Sequence, residues 1–327
     1  MRDVIYGTSG PFTSGERSFG ITVGRYANRI KGSRFTIDGR EYILPHNEVH
    51  DGIPVQCHGG AQGFDRFFWE AEPFPYGIRF SRLSPDSEEG FPGNLQVCVT
   101  YELTDTLRIT YRATTDRPTH VNFTNHSSFN LSGHGGYALD HVLKVNASRY
   151  ILNDNCFCPD RILPVDGTPF DFREPRRIDF GLGMEHPQLR RMGGPSVCFL
   201  LSDINSSEGI PNSPDSIPNS SDGIPNSLDG TLDSPDIALK SAATLTSPDG
   251  SLSLEVRTTE PCLLLYPATH FDGSIRGKHY PLEKYGALAL ETMHAANSPN
   301  DPRFPSTLLR PGESFVSVTE YRFRRGD

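Results

Sequence analysis

Along much of the chain, apolar and polar residues alternate with a period of two. Residues 34–43 (RFTIDGREYI), 95–101 (LQVCVTY), 107–113 (LRITYRA), 141–145 and 252–256 share the pattern, and Gly, Pro, Asp or Asn clusters bound them. Successive side chains of a strand face opposite sides, so the alternation predicts strands joined by turns. Residues 103–107 (LTDTL) predict a tight hairpin between two of these strands. No segment sustains an amphipathic helical period over more than ~10 residues. With 27 prolines and 31 glycines spread along the chain, an all-β sandwich or barrel is expected rather than an α/β arrangement.

One segment departs from this rhythm. Residues 209–229 are three near-copies of a seven-residue unit, GIPNSPD, SIPNSSD and GIPNSLD. Such a composition cannot bury enough apolar surface to offset its ordering entropy. Residues 205–246 are therefore expected to be a disordered low-complexity insertion within a single domain spanning 1–327. The period is too short for a solenoid, and loop-closure entropy rises slowly enough with length to tolerate the expansion.

Composition narrows the class of protein. A chain of 327 residues, 35% hydrophobic and 10% aromatic, can bury a substantial core. No run approaches the ~18 apolar residues of a membrane helix, and the opening MRDVIYGTSGPF has no apolar centre of the signal-peptide kind. A cytoplasmic protein without a membrane partner is the expectation. A net charge of -9 and a pI near 5.7 argue against nucleic acid or an anionic membrane as partner. The six cysteines are scattered, and the C-x-C spacing of Cys156 and Cys158 fits neither a zinc knuckle nor a thioredoxin-type pair. Structural thiols are the expected reading.

Four polar clusters can carry chemistry. Residues 24–30 (GRYANRI) gather Arg25, Asn28 and Arg29, and residues 57–65 (CHGGAQGFD) set His58 in a glycine-rich loop. Residues 121–133 (VNFTNHSSFNLSG) surround His126 with asparagines and hydroxyls, and residues 288–294 (LALETMH) place Glu291 at the end of an apolar run. A carboxylate and an imidazole can exchange protons near neutral pH, and Arg, Asn and His donors can orient a polyhydroxylated ligand. No H-E-x-x-H or H-x-H arrangement asks for a metal, and no G-x-S-x-G supplies a serine nucleophile. Glycines 59, 60 and 63 precede no helix that would complete a phosphate loop. Taken singly, each residue also has a structural reading: a hydrogen-bonded histidine, a salt-bridged strand end, arginines paired with surface carboxylates. Spacing alone does not bring His126 and Glu291 together.

The motifs GRYANRI, HGG-x-x-GFD, SPDSEEGFPG, VNFTNHSSFNLSG and LET…SPNDPRFPSTLLRPGE, in this order, resemble those of the aldose 1-epimerase (galactose mutarotase) family. The resemblance runs from about Asp3 to Phe323, the repeats excepted. It implies a galactose mutarotase-like β-supersandwich and cofactor-free interconversion of the α and β anomers of a hexose or related sugar. By motif it implies His126 as general acid and Glu291 as general base, with Asn28, Arg29 and His58 lining the sugar site and no metal.

This chain also departs from the family pattern. Ser128 stands where the family typically has a tyrosine, and residues 193–199 (GGPSVCF) replace a segment that carries a sugar-binding aspartate. Met293 and Leu264 stand where glutamines are expected, and Ala296-Asn297 replaces the usual Pro-Asp. The stretch beginning at Asp3 resembles one that family members reach only after some tens of residues, which implies that the first strands of the sandwich are absent. Two alternatives follow from the lost polar groups: the same fold and His/Glu dyad turned to isomerisation or cyclisation of a less polar substrate in specialised metabolism, or a non-catalytic carbohydrate-binding module. The oligomeric state is not legible.

Overall fold

The computed structural model describes residues 5–6, 19–133, 135–201, 237–274 and 280–326. Two large antiparallel sheets dominate the fold, and the alternating runs 95–101, 107–113, 141–145 and 252–256 all fall in the larger one. The nine-stranded sheet runs, edge to edge, through Arg176–Arg177, Val142–Val145, Lys240–Thr246, Leu252–Thr258, Phe315–Arg325, Leu107–Thr115, Leu95–Leu103, Gly77–Ser84 and Glu70–Phe74. The seven-stranded sheet runs through Ile5–Tyr6, Ser128–Phe129, Leu288–Met293, Cys262–Tyr266, Val197–Leu200, Arg149–Asn153 and Pro159–Pro164. The expected hairpin forms, with Leu103 opposite Leu107. The run 34–43 divides into Arg34–Ile37 and Arg40–Ile43, because Asp38 and Gly39 take φ of +50° and +79°, the left-handed pair that a two-residue hairpin turn needs. The α-helix Pro187–Met192 is the only one among the described residues. No helix there is long and apolar enough to cross a membrane.

Residues 202–236, which hold the three repeats, lie outside the described residues. The far end of the expected insertion is corrected. Lys240–Thr246 is a strand between Val142–Val145 and Leu252–Thr258, and its Ala243 and Leu245 enter the core. Its residues (KSAATLT) are mostly small or hydroxylated, as in a loop, but from Ala243 onward they alternate in burial, which is what a strand requires.

The two sheets share one core. Phe129, Tyr150, Val197, Phe199, Leu263, Leu265, Leu288 and Leu290 of the seven-stranded sheet belong to the same cluster as Val97, Val99, Ile109, Tyr111, Leu254 and Val256 of the other. Burying each large aliphatic side chain of this set contributes ~1.5–3 kcal/mol before entropy is counted. Since faces alternate, Ala289, Glu291 and Met293 turn away from that core, as do Leu264 and Cys198 on the neighbouring strands. This second face is covered in its turn. Val23 and Ala27 pack with Met293, and Ala295 and Phe304 pack with Cys198, Leu200 and Cys262. Glu291 is thus a carboxylate in a layer of side chains outside the main core.

Candidate active site

Glu291 is the fourth residue of the strand Leu288–Met293 and only 1% exposed. His126 sits between the short strands Thr124–Asn125 and Ser128–Phe129. The second of these pairs with the Glu291 strand, Ser128 opposite Ala289, so the chain delivers the imidazole to the carboxylate. His126 Nε2 lies 3.5 Å from Glu291 Oε1, within ion-pairing reach but too long for a well-formed hydrogen bond. Burial raises the pKa of Glu291 above its ordinary 4.5, and the attraction of His126 and Arg29 does not cancel it.

Glu291 Oε2, His126 Nδ1 and Asn28 Oδ1 are buried without a hydrogen-bond partner among the described residues. Each such atom costs ~1–3 kcal/mol. Seven other buried side-chain atoms among the described residues also lack a partner, and these three are the ones on the candidate site residues.

His58 faces His126 edge-on, with ring centroids 5.7 Å apart. The Asn28 backbone N–H donates to His58 Nδ1 at 3.3 Å, and the His58 N–H donates to the Asn28 carbonyl at 2.9 Å. With Nδ1 accepting, the neutral ring carries its proton on Nε2. Burial, and then the nearby His126 and Arg29, lowers the His58 pKa to about 3. His58 is therefore a neutral donor, not a second cation. The loops around His58 and Asn28 come this close because Gly59 (φ +80°) lacks a side chain; a Cβ there would collide with the Gly24 carbonyl oxygen.

Arg29 heads the strand Arg29–Lys31, opposite Cys57. Its Nε and Nη2 donate to the two carboxylate oxygens of Glu48 at 2.8 and 3.1 Å, and its guanidinium lies 5.0 Å from the Phe157 ring centre. His50 Nε2 is 2.8 Å from Glu48 Oε2. Burial pushes the Glu48 pKa up, but Arg29 and His50 outweigh it and hold it at about 2. The fork and the aromatic face fix the Arg29 cation in place.

Of the five residues singled out in the sequence, Asn28, His58, His126 and Glu291 are linked by these contacts, and Arg29, next to Asn28 in the chain, acts on His58 and Glu291 through its charge. Arg25 is not among them. It is 2% exposed and donates to the carbonyls of Ser84, Pro92 and Gly93, bracing the SPDSEEGFPG loop. His294 turns its ring to Glu260, 2.8 Å away. Among the described residues no group of three or more His, Cys, Asp or Glu side chains is arranged to hold a metal ion.

Three contributors have no clear sequence signal. Glu48 lies in a short strand with nothing local to mark it as the partner of Arg29. Tyr266 ends an apolar strand, yet its ring faces His126 at 5.9 Å and its hydroxyl lies 3.0 Å from His270 Nδ1. Asn122 donates through Nδ2 to the carbonyls of Ala27 and His294 at 3.1 and 3.2 Å and accepts from the His294 N–H at 3.0 Å. One side chain thus ties the stretch before Asn28 to the turn after Glu291. Its hint in the sequence is a polar residue between Val121 and Phe123, both core.

Comparison with known proteins identifies what this chain is similar to. The family model described as aldose 1-epimerase matches residues 1–322. The galactose mutarotase of Rattus norvegicus is 36% identical over 311 residues, 93% of this chain and 78% of that protein. The aldose 1-epimerase of Escherichia coli K12 is 35% identical over 331 residues, 99% of this chain and 85% of that one. Among solved structures, galactose 1-epimerase from Lactobacillus acidophilus superposes with a TM-score of 0.77 at 26% identity, covering 100% of this chain and 86% of its own. An aldose epimerase homologue from C. elegans gives a TM-score of 0.79 at 24% identity, covering 100% of this chain and 89% of its own, and supports the fold alone.

Proposed function

The chain belongs to the aldose 1-epimerase family and is an isomerase that interconverts the α and β anomers of sugars; from that premise we propose that Glu291 and His126 carry the proton transfers. The observation that supports these roles is the buried carboxylate and imidazole 3.5 Å apart, each with an unpartnered polar atom. Both oxygens of a hemiacetal sit on one carbon, so an acid and a base that serve them together must be neighbours.

In the opening step Glu291 takes the proton of the anomeric hydroxyl while His126 gives one to the ring oxygen. The bond from C1 to the ring oxygen breaks and C1 becomes an aldehyde carbonyl. Rotation about the C1–C2 bond presents the other carbonyl face. On reclosure the protonated Glu291 returns its proton to the carbonyl oxygen, while His126 recovers one from the attacking hydroxyl. Each positioned proton-transfer group is worth ~10²–10⁴-fold. A raised pKa makes Glu291 a stronger base than a surface glutamate. The Nε2–H of His58, the remaining Arg29 nitrogen Nη1 and Asn28 Oδ1 hold the sugar hydroxyls and limit its motion.

The chain works as one such domain, with the low-complexity repeats as an insertion in it. Its place is the cytosol. All six cysteines are free and buried, as suits a reducing compartment. The negative charge favours a small neutral ligand over nucleic acid or an anionic membrane. The relatives named above all carry sugar-epimerase names, and none of them points to the cyclising or purely binding alternatives. Polarimetry on freshly dissolved α-galactose, α-glucose and α-xylose tests the reading: acceleration over the spontaneous rate is expected for at least one, and acceleration of none refutes it.

A further inference from the structure

The surroundings of Glu291 are lopsided. On one side runs the strand Ser128–Phe129, which brings His126; on the other runs Cys262–Tyr266. In that second strand Leu264 stands directly opposite Glu291, and across the next strand Cys198 stands opposite Leu264. Paired residues of neighbouring strands share a face with Cβ atoms roughly 5 Å apart, so Leu264 lies beside the carboxylate with Cys198 beyond it. Leu264 is the partly exposed member of this row, while Cys198 and Glu291 are buried. Along the Glu291 strand the next residue on the same face is Met293, which packs in one apolar cluster with Leu264, Val23 and Ala27. Beside Glu291 the surface is therefore apolar at Leu264 and Met293, while the Asn28 amide, 4.0 Å from the Met293 sulfur, and Tyr266, two residues from Leu264 in its strand, border that apolar patch.

The chemistry of the reaction says what meets that patch. The anomeric carbon has two ring neighbours, the ring oxygen and C2. With the ring oxygen turned to His126, C2 is turned the opposite way, past Glu291 toward Leu264. A hydroxyl held against Leu264 loses water and gains no hydrogen bond from that side chain, at a cost on the order of tenfold to a hundredfold in kcat/KM. We propose that Leu264 is a specificity-determining residue and that the site prefers an aldose without a hydroxyl at C2, a 2-deoxy sugar, over its hydroxylated parent. The proposal rests on the mutarotase reading above and assigns its substrate class.

The test compares kcat/KM, corrected for spontaneous mutarotation, for galactose against 2-deoxygalactose and for glucose against 2-deoxyglucose. The 2-deoxy sugar should exceed its parent in at least one pair. Leu264→Gln, which offers the C2 hydroxyl a partner at a partly exposed position, should shift the ratio toward the parent by about tenfold; Leu264→Met, apolar and of similar volume, should leave it unchanged. Parents preferred by tenfold or more in both pairs by the unaltered enzyme would overturn the proposal while leaving the mutarotase reading intact, and this comparison needs no variant to fold. An unchanged ratio in folded Leu264→Gln overturns it equally. Turnover of none of the four sugars refutes the mutarotase reading, and this proposal with it.

Discussion

Replacing Glu291 by glutamine should abolish most activity and yet stabilise the protein at neutral pH. The carboxylate is 1% exposed, its Oε2 has no partner, and its contact with His126 is 3.5 Å long. Burial raises its folded-state pKa above 4.5, so the folded protein holds the Glu291 proton more tightly than the unfolded chain does. By linkage, stability falls as pH rises from the unfolded value through the folded one, and it stays low above that. Glutamine has the same shape and no charge. At pH 7.5 the variant escapes the cost of a buried, half-satisfied carboxylate, ~1–3 kcal/mol, less whatever attraction to His126 and Arg29 it forfeits. At pH 4 the carboxyl is largely protonated in both states and the advantage should nearly vanish.

Two assays check this together. Thermal unfolding of Glu291→Gln against the unaltered protein at pH 4 and pH 7.5 should show a gap that widens with pH, roughly 2 °C per kcal/mol. Polarimetry should show kcat reduced ~10²–10⁴-fold, and in the unaltered enzyme kcat/KM should fall with acid around a midpoint above 4.5. A variant less stable than the parent at pH 7.5, or equally displaced at both pH values, would refute the claim that Glu291 is held at a cost for catalysis.

Two further substitutions probe the frame around the dyad. Arg29→Lys keeps the charge but cannot make the two-pronged pair with Glu48 or lie flat on Phe157, so KM should rise about tenfold. Because the Arg29 and Glu48 side chains remain 20% and 27% exposed, the stability loss should stay near ~1 kcal/mol; an unchanged KM in steady-state kinetics argues against Arg29 as a sugar ligand. Asn122→Ala removes three hydrogen bonds between the Asn28 and Glu291 segments and should cost ~2–3 kcal/mol in denaturant unfolding. As a positioning change it should lower kcat while leaving the acid limb of the pH profile in place; a shifted limb would mean that Asn122 acts on the Glu291 carboxylate electrostatically.

The period-two runs mark Leu95–Leu103, Leu107–Thr115 and Leu252–Thr258, because strand faces are written locally in side-chain polarity, but leave Gly77–Ser84 and Phe315–Arg325 unmarked. They could not give the sheet order, which is set by contacts far apart in sequence. His126 meets Glu291 only because Ser128–Phe129 is the neighbour of Leu288–Met293, and nothing within either segment states that. The order of motifs supplied by the family resemblance carried this non-local information, as the linkage of Asn28, Arg29, His58, His126 and Glu291 shows. It did not carry Glu48, and it carried Asn122 only as a member of the motif 121–133, without its role. Their roles lie in hydrogen bonds to Arg29 and to the Ala27 and His294 backbones, which no composition or period records. The far end of the low-complexity segment was misjudged for a related reason: Ser, Ala and Thr serve equally in a loop and in a buried strand, and only the burial of Ala243 and Leu245 tells them apart.

The same alternation that builds the core also separates folding from specificity. In the strand Cys262–Tyr266, Leu263 and Leu265 point into the shared core with none of their surface exposed, so the fold constrains them tightly. Leu264, between them, points to the Glu291 face and is partly exposed. A change at 264 therefore alters the face beside Glu291 without opening a cavity between the sheets, whereas the same change at 263 or 265 would open one. On the next strand, Met293 follows Glu291 at the same two-residue interval and on the same face, so the catalytic base and the apolar patch are adjacent readings of one strand. On the proposed roles, substitutions confined to alternate positions of these two neighbouring strands would leave the His126–Glu291 pair in place and change the hydroxyls recognised beside it.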